Sequence, residues 1–243
     1  MAAYIGEFVG TILLVLLGDG VCANVNLNGS GFKGSSTLLI ALGWGAAVML
    51  PAMCFGNVCA ASYNPALTIA LCADGSLPWS QCAGYIIAEM LGGFIGAWCV
   101  FITFKPQFDA SEGGALARGV FCTGPGIRNI PYNMFQEAVA TFWLVFSIKG
   151  IGSLTTLGNK GAVLDPGMGK FIVFLIIMSC GTSFGGLTGY AMNPARDTAP
   201  RIAYATMPIK DKDPDWGYAL VPIVGPIIGA LCAVALYAAL PIH

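Results

Sequence analysis

Few residues of this chain could do chemistry, and most of them fall in two short, similar stretches. Tyr63-Asn64-Pro65-Ala66 and Tyr190-Ala191-Met192-Asn193-Pro194-Ala195-Arg196-Asp197 share an Asn-Pro-Ala triplet, 193 − 64 = 129 residues apart. In each copy the asparagine side chain can cap a helix while proline takes the first helical position, where its missing N–H costs nothing. Each amide also has N–H groups to offer a hydroxylated ligand. Arg196 adds a planar fork of donors and a fixed charge that repels cations. Four carboxylates, Glu7, Asp19, Glu89 and Glu137, lie inside apolar stretches. The only histidine is His243, the last residue, and the nine cysteines include no Cys-x-x-Cys pair. A His-based metal site is therefore excluded and zinc or redox chemistry is not expected. No cofactor is predicted, and without a nucleophile–base arrangement the chain does not read as an enzyme.

The setting of these residues follows from composition. Of 243 residues 56% are hydrophobic and only 9% charged, against about 25% charged in soluble domains. This is an integral membrane protein. A net charge of −1 with no basic stripe excludes a nucleic-acid partner. Met1-Ala2-Ala3-Tyr4 runs straight into an apolar span with no basic segment, so no cleaved signal peptide is expected. At membrane depth Arg196 is costly unless it faces a cavity or a partner, and an ion pair with Asp197 or a loop carboxylate is the plain structural alternative to a ligand-binding role.

Six stretches, roughly 4–25, 37–56, 80–104, 132–152, 169–186 and 217–240, are apolar over the length of about 20 residues that a spanning helix needs. Two others, 65–74 and 194–205, are too short to span and begin at the two triplets. The halves repeat. Glu7-Phe8-Val9-Gly10-Thr11 parallels Glu137-Ala138-Val139-Ala140-Thr141 at an offset of 137 − 7 = 130, and Gly92-Gly93-Phe94-Ile95-Gly96-Ala97 parallels Gly225-Pro226-Ile227-Ile228-Gly229-Ala230 at 229 − 96 = 133. With three spans in each half the second must cross the membrane in the opposite sense, an inverted repeat. The sequence divides into repeat one at about 1–104, a polar linker loop at about 105–131 and repeat two at about 132–243, together one transmembrane domain. The short stretches, about 15–18 Å long as helices, would enter from opposite faces and meet near the midplane. The expected fold class is all-α: six transmembrane helices plus two re-entrant half-helices.

Two Asn-Pro-Ala motifs in an inverted repeat, with Glu7 and Glu137 at matched positions, resemble the major intrinsic protein family of aquaporins and glycerol facilitators over the whole chain. Asn193-Pro194-Ala195-Arg196-Asp197, Gly185-Gly186-Leu187-Thr188-Gly189-Tyr190 and Cys122-Thr123-Gly124-Pro125-Gly126-Ile127-Arg128-Asn129 are similar to its glycerol-conducting branch. The resemblance implies a selectivity filter of Trp44, Gly181, Tyr190 and Arg196, in which aromatic walls face carbon and the arginine faces hydroxyls. It implies a central junction of Asn64, Pro65, Ala66, Asn193, Pro194 and Ala195. The stretches Ala60-Ala61-Ser62 and Gly189-Tyr190-Ala191, if extended, would offer a ladder of carbonyls; Ala60, Ala61, Ser62, Gly189 and Ala191 are the expected acceptors. Glu7 and Glu137 read as structural, accepting N–H groups of the re-entrant loops, and Asp197 likewise. Glu89 and Asp19 carry no assignment.

What the resemblance implies is a passive channel for small uncharged solutes, chiefly glycerol, with some water, excluding ions and protons. It also implies a homotetramer in a bacterial plasma membrane with cytoplasmic termini. The last point runs against the positive-inside rule, because Lys149, Lys160 and Lys170 would be inner while Lys33, Lys105, Arg118, Arg128, Arg201, Lys210 and Lys212 would be outer. Three departures bear on substrate. Ala60 and Ser62 stand where the family usually has Gly and His, and Tyr190 stands where glycerol facilitators mostly have Phe. Phe55-Gly56-Asn57-Val58-Cys59 is similar to a subset for which lactic acid conduction has been proposed. Undissociated lactic acid or water is thus the alternative main solute, and a secondary transporter, which inverted repeats with broken helices also build, is the rival mechanism.

Overall fold

A computed structural model describes residues 1–111, 113–156 and 165–241, among which every regular element is helical. Lys160 and His243 lie outside the described residues. Six helices are long and apolar enough to cross a membrane: α1 (Ala2–Asn26), α2 (Thr37–Phe55), α4 (Trp79–Thr103), α7 (Ile130–Thr156), α8 (Pro166–Thr188) and α10 (Val221–Ala239). The two short helices start at the triplets, α3 (Pro65–Ala73) and α9 (Pro194–Thr206). Their 9 and 13 residues amount to about 13 and 20 Å of helix, together close to the roughly 30 Å of a hydrocarbon core.

Packing follows the repeat. α1 lies on α4 and α7 on α10; α4 meets α9 while α10 meets α3; and α2 lies along α8. Each pairing in one half has its image in the other. The crossings close up at glycines: a Cβ on Gly96 would lie 2.8 Å from the Ile12 carbonyl oxygen, and one on Gly225 2.7 Å from that of Met134. In a membrane, where lipid is as apolar as leucine, such close backbone contact is what holds helices together.

The linker is not the loop that its polarity suggested. It forms α5 (Lys105–Asp109) and α6 (Gly114–Phe121), and α6 buries Ala117, Val120 and Phe121 against α1 and α9. Phe121 stacks between Phe108 and Tyr204, at centroid distances of 5.5 and 6.0 Å. This aromatic column gives a segment full of glycine and charge enough buried surface to order it. Arg201 is likewise not in a loop. It sits in α9, fully buried, and so does not count toward the charge of an outer surface.

A tie between the halves runs from α7 to the C-terminal end of α3, where Lys149 Nζ donates to Asp74 Oδ2 at 2.6 Å. Burial raises the Asp74 pKa, but the lysine and Ser76 beside it outweigh this and hold the carboxyl below its ordinary value. With the folded value below the unfolded one, the contribution is complete above the unfolded carboxylate pKa of about 3.9 and is lost as pH falls through the folded value. Lys149→Ala should therefore cost about 1 kcal/mol at neutral pH. Thermal melts of parent and variant should converge as pH is lowered below about 4; equal melting points at pH 7 would show the tie to be idle.

Candidate functional site

The two half-helices meet end to end. Asn64 caps α3 by accepting from Ala66 N at 3.0 Å, and Asn193 caps α9 by accepting from Ala195 N at 2.9 Å and Arg196 N at 3.2 Å. Pro65 and Pro194 take the first helical positions, and Ala66 and Ala195 are fully buried behind them. Each amide also crosses the junction: Asn64 Nδ2 donates to Met192 O and Asn193 Nδ2 to Tyr63 O, both at 2.8 Å. An NH₂ group has two donors, so each asparagine retains one N–H beyond this cross-link. Both asparagines line the cavity beside the junction.

The loops leading into the half-helices are not extended. Ala61, Tyr63, Tyr190 and Met192 have φ between 39° and 52°, and Gly189 has φ 80°. Such left-handed residues cost energy in non-glycine positions and persist only where their surroundings fix them. Two carboxylates do the fixing. Glu7 accepts from Ser62 N at 3.1 Å and Tyr63 N at 2.8 Å, while Glu137 accepts from Ala191 N at 2.9 Å, Met192 N at 2.8 Å and Thr188 Oγ1 at 2.6 Å. Two successive N–H groups thus point at one carboxylate, which a plain strand forbids because its amides alternate. In a trans peptide the C=O opposes the N–H. The carbonyls of Ala61 and Ser62 therefore face away from Glu7, and those of Tyr190 and Ala191 face away from Glu137. Ala60, Ala61, Ser62, Tyr190 and Ala191 all line the same cavity, whereas Gly189 lines a second one.

Ser62 has a further role. Its Oγ donates to Glu89 Oε1 at 2.9 Å, an oxygen that also accepts from Thr68 Oγ1 at 2.6 Å. Glu89 thereby joins the loop to α3. Asp197 accepts from Thr123 N and Oγ1 at 2.7 and 2.6 Å and from Arg201 Nε and Nη2, both at 2.8 Å. Arg201 also donates to the carbonyls of Pro214 and Thr123. This fully buried pair anchors α9 to the linker and to the loop before α10.

Two cavities meet beside this machinery. One of 240 Å³ runs past Asn64 and Asn193, with Leu14, Val48, Leu144 and Ile177 on its walls. The other, of 880 Å³, opens between α2, α6 and α8, with Arg118 and Arg128 among its lining. Tyr190 and Arg196 line both; Trp44 lines only the first and Gly181 only the second. The structure thus brings Trp44, Gly181, Tyr190 and Arg196 together. The Arg196 guanidinium lies 3.9 Å from the centroid of the Trp44 ring. Tyr190 packs its ring over Gly181 and Gly185, and its buried hydroxyl has no hydrogen-bond partner among the described residues. Aromatic carbon on one side and guanidinium donors on the other make an amphipathic slot.

Arg196 does not pair with Asp197. It donates from Nη1 to Asp19 Oδ1 on α1 at 3.3 Å. Asp19 was visible as a carboxylate in an apolar helix, but its partner, 177 residues away, was not. Lys170, an expected inner-loop charge, instead lies in α8 and lines the smaller cavity.

Six spanning helices around two re-entrant ones, with a lined passage where the latter meet, define a multi-pass membrane protein of the aquaporin fold. Residues 1–237 match the major intrinsic protein family, and the chain belongs to that family. It is 43% identical over 238 residues to a probable glycerol uptake facilitator protein of Thermotoga maritima, covering 98% of each chain. It is 38% identical over 203 residues to a D/L-lactic acid transporter of Lactiplantibacillus plantarum, covering 82% of this chain and 80% of that one. Its fold superimposes on the X-ray structure of the aquaglyceroporin from Plasmodium falciparum with a TM-score of 0.85 and 28% identity, covering 97% and 94% of the two chains.

Proposed function

We propose that this protein is a passive channel, not an enzyme, conducting small uncharged solutes, glycerol foremost, with some water. The observation that carries this reading is the meeting of two cavities at Tyr190 and Arg196, with Trp44 and Gly181 completing the slot. A polyol presents CH groups to the aromatic walls, and its hydroxyls meet the guanidinium, the spare asparagine N–H groups and the carbonyls of Ala61, Ser62, Tyr190 and Ala191. Together these replace lost hydration. Each half-helix N-terminus carries roughly half a positive charge. Two such ends facing the passage oppose protons and cations, a barrier of the kind known in aquaporins. Glu7, Glu137 and Asp197 serve as scaffolding. Similarity to glycerol facilitators supports glycerol as the solute, and the family supports a homotetramer in a bacterial plasma membrane with cytoplasmic termini.

Light-scattering swelling of proteoliposomes tests this. Glycerol flux should exceed that of empty liposomes and rise linearly with gradient; none above background would overturn the reading. Saturating, proton-dependent uptake would point instead to a transporter. A second solute is favoured by the similarity to the lactic acid transporter. Uncharged lactic acid, also small and hydroxylated, should pass at low pH and stop when ionised.

A further inference from the structure

Resting on the channel reading, we propose that Asp19 is the counter-ion of the solute-selecting slot, fixing its net charge and its rejection of small anions. One face of α1 builds the back of the slot. A Cβ on Gly18 would collide with the Trp44 ring, so glycine there gives the indole room. Cys22, one turn on, accepts the Trp44 indole N–H at 3.4 Å. Between them Asp19, fully buried, accepts from Arg196 and leaves Oδ2 without a hydrogen-bond partner among the described residues.

Among the described residues, the other charges on the outer side of the slot are compensated, while Lys170, which lines the smaller cavity, stands beside Gly56 at the C-terminal end of α2, away from Trp44. Asp197 is spent on Arg201; Arg118 pairs with Asp213 at 2.7 Å, and Arg128 with Asp215 at 2.7 and 2.9 Å. Among the described residues, Asp19 is therefore the carboxylate that hydrogen-bonds and ion-pairs with Arg196. With it, the slot keeps guanidinium donors for hydroxyls but is formally neutral. Without it, the slot carries a net positive charge in a low-dielectric wall, next to two positive helix ends, and would concentrate monovalent anions.

The test uses the full chain in proteoliposomes, with chloride entry followed by an entrapped quenchable dye and glycerol entry by swelling. Asp19→Asn, which keeps shape but removes the charge, should raise chloride flux about fivefold or more while glycerol still passes. Asp19→Ser, which removes the charge without adding bulk, should do the same. Asp19→Asn/Arg196→Gln, neutral again, should return chloride to the parent level, an outcome that loss of packing alone would not give. Chloride flux unchanged in a folded, glycerol-conducting single variant would overturn the proposal, as would a double variant as leaky as the single. Should the single variants fail to fold, rescue of folding by the double supports charge compensation, and failure of all three makes Asp19 a packing residue. Loss of glycerol flux in the parent protein would instead sink the channel reading itself.

Discussion

Glu137→Ala should lower the melting point of the detergent-solubilised protein by about 6–12 °C and abolish solute flux. The carboxylate is buried and accepts three bonds, from Thr188 Oγ1, Ala191 N and Met192 N. Hydrogen bonds to charged groups contribute about 1.5–3 kcal/mol each, and orphaned buried donors cost as much again. A loss of about 3 kcal/mol, set below the simple sum of these terms because the freed loop relaxes and rehydrates, converts to the quoted shift for a chain of this size. Flux fails for a separate reason. Tyr190 and Met192 hold left-handed backbone only because both amides beside Ala191 are gripped together. Released, the loop relaxes toward ordinary backbone and its carbonyls leave the cavity. Glu137→Gln is no rescue, because one end of its amide would point a donor at backbone donors. Glu7→Ala frees only two backbone donors and should cost less. A Glu137→Ala protein melting within about 2 °C of the parent would refute this account of the loop.

The local signals were readable wherever one residue type has one use. Asn-Pro gave both half-helix starts because a cap and an N1 proline are near-neighbour chemistry, and span length gave the six long helices because bilayer thickness dictates it. Signals that depend on distant partners were not readable. Arg196 and Asp19 are each conspicuous in the sequence, yet only packing of α9 against α1 shows that they pair, while Asp197, next in the chain, turns to Arg201. The linker defeated composition for the same reason, since the stacking of Phe121 on Phe108 and Tyr204 orders a stretch whose glycines argue for a loop. The loops were expected to be extended, and they instead take a conformation that no propensity predicts. Left-handed Ala61, Tyr63, Tyr190 and Met192 exist because Glu7 and Glu137 gather amides that would otherwise diverge.

Gly181→Ala should cut glycerol flux by at least about tenfold, some 1.4 kcal/mol of added barrier, while reducing water flux far less. A Cβ at position 181 would stand 2.9 Å from Ala41 Cβ, 3.0 Å from Tyr190 Cζ and 3.1 Å from Tyr190 Oη. The approach to Ala41 Cβ must be relieved by a few tenths of an ångström between α2 and α8, and the tyrosine ring, the freer neighbour, must yield as well. Its ring already lies against Gly185, with Cδ1 3.2 Å from where a Cβ would be, and the open direction is toward the slot shared with Arg196. A ring displaced there narrows the passage by a few tenths of an ångström or more. Water, a single oxygen wide, tolerates this better than a carbon chain that must touch both walls. Tyr190→Phe removes a hydroxyl that has no partner among the described residues. It should leave stability nearly unchanged and, combined with Gly181→Ala, restore part of the glycerol flux. Gly186→Ala, where an added Cβ meets nothing within 4 Å, serves as the neutral control. Stopped-flow swelling in glycerol and in an impermeant osmolyte gives both fluxes on one preparation. An unchanged glycerol-to-water ratio in folded Gly181→Ala protein would show that solute size is judged elsewhere along the passage.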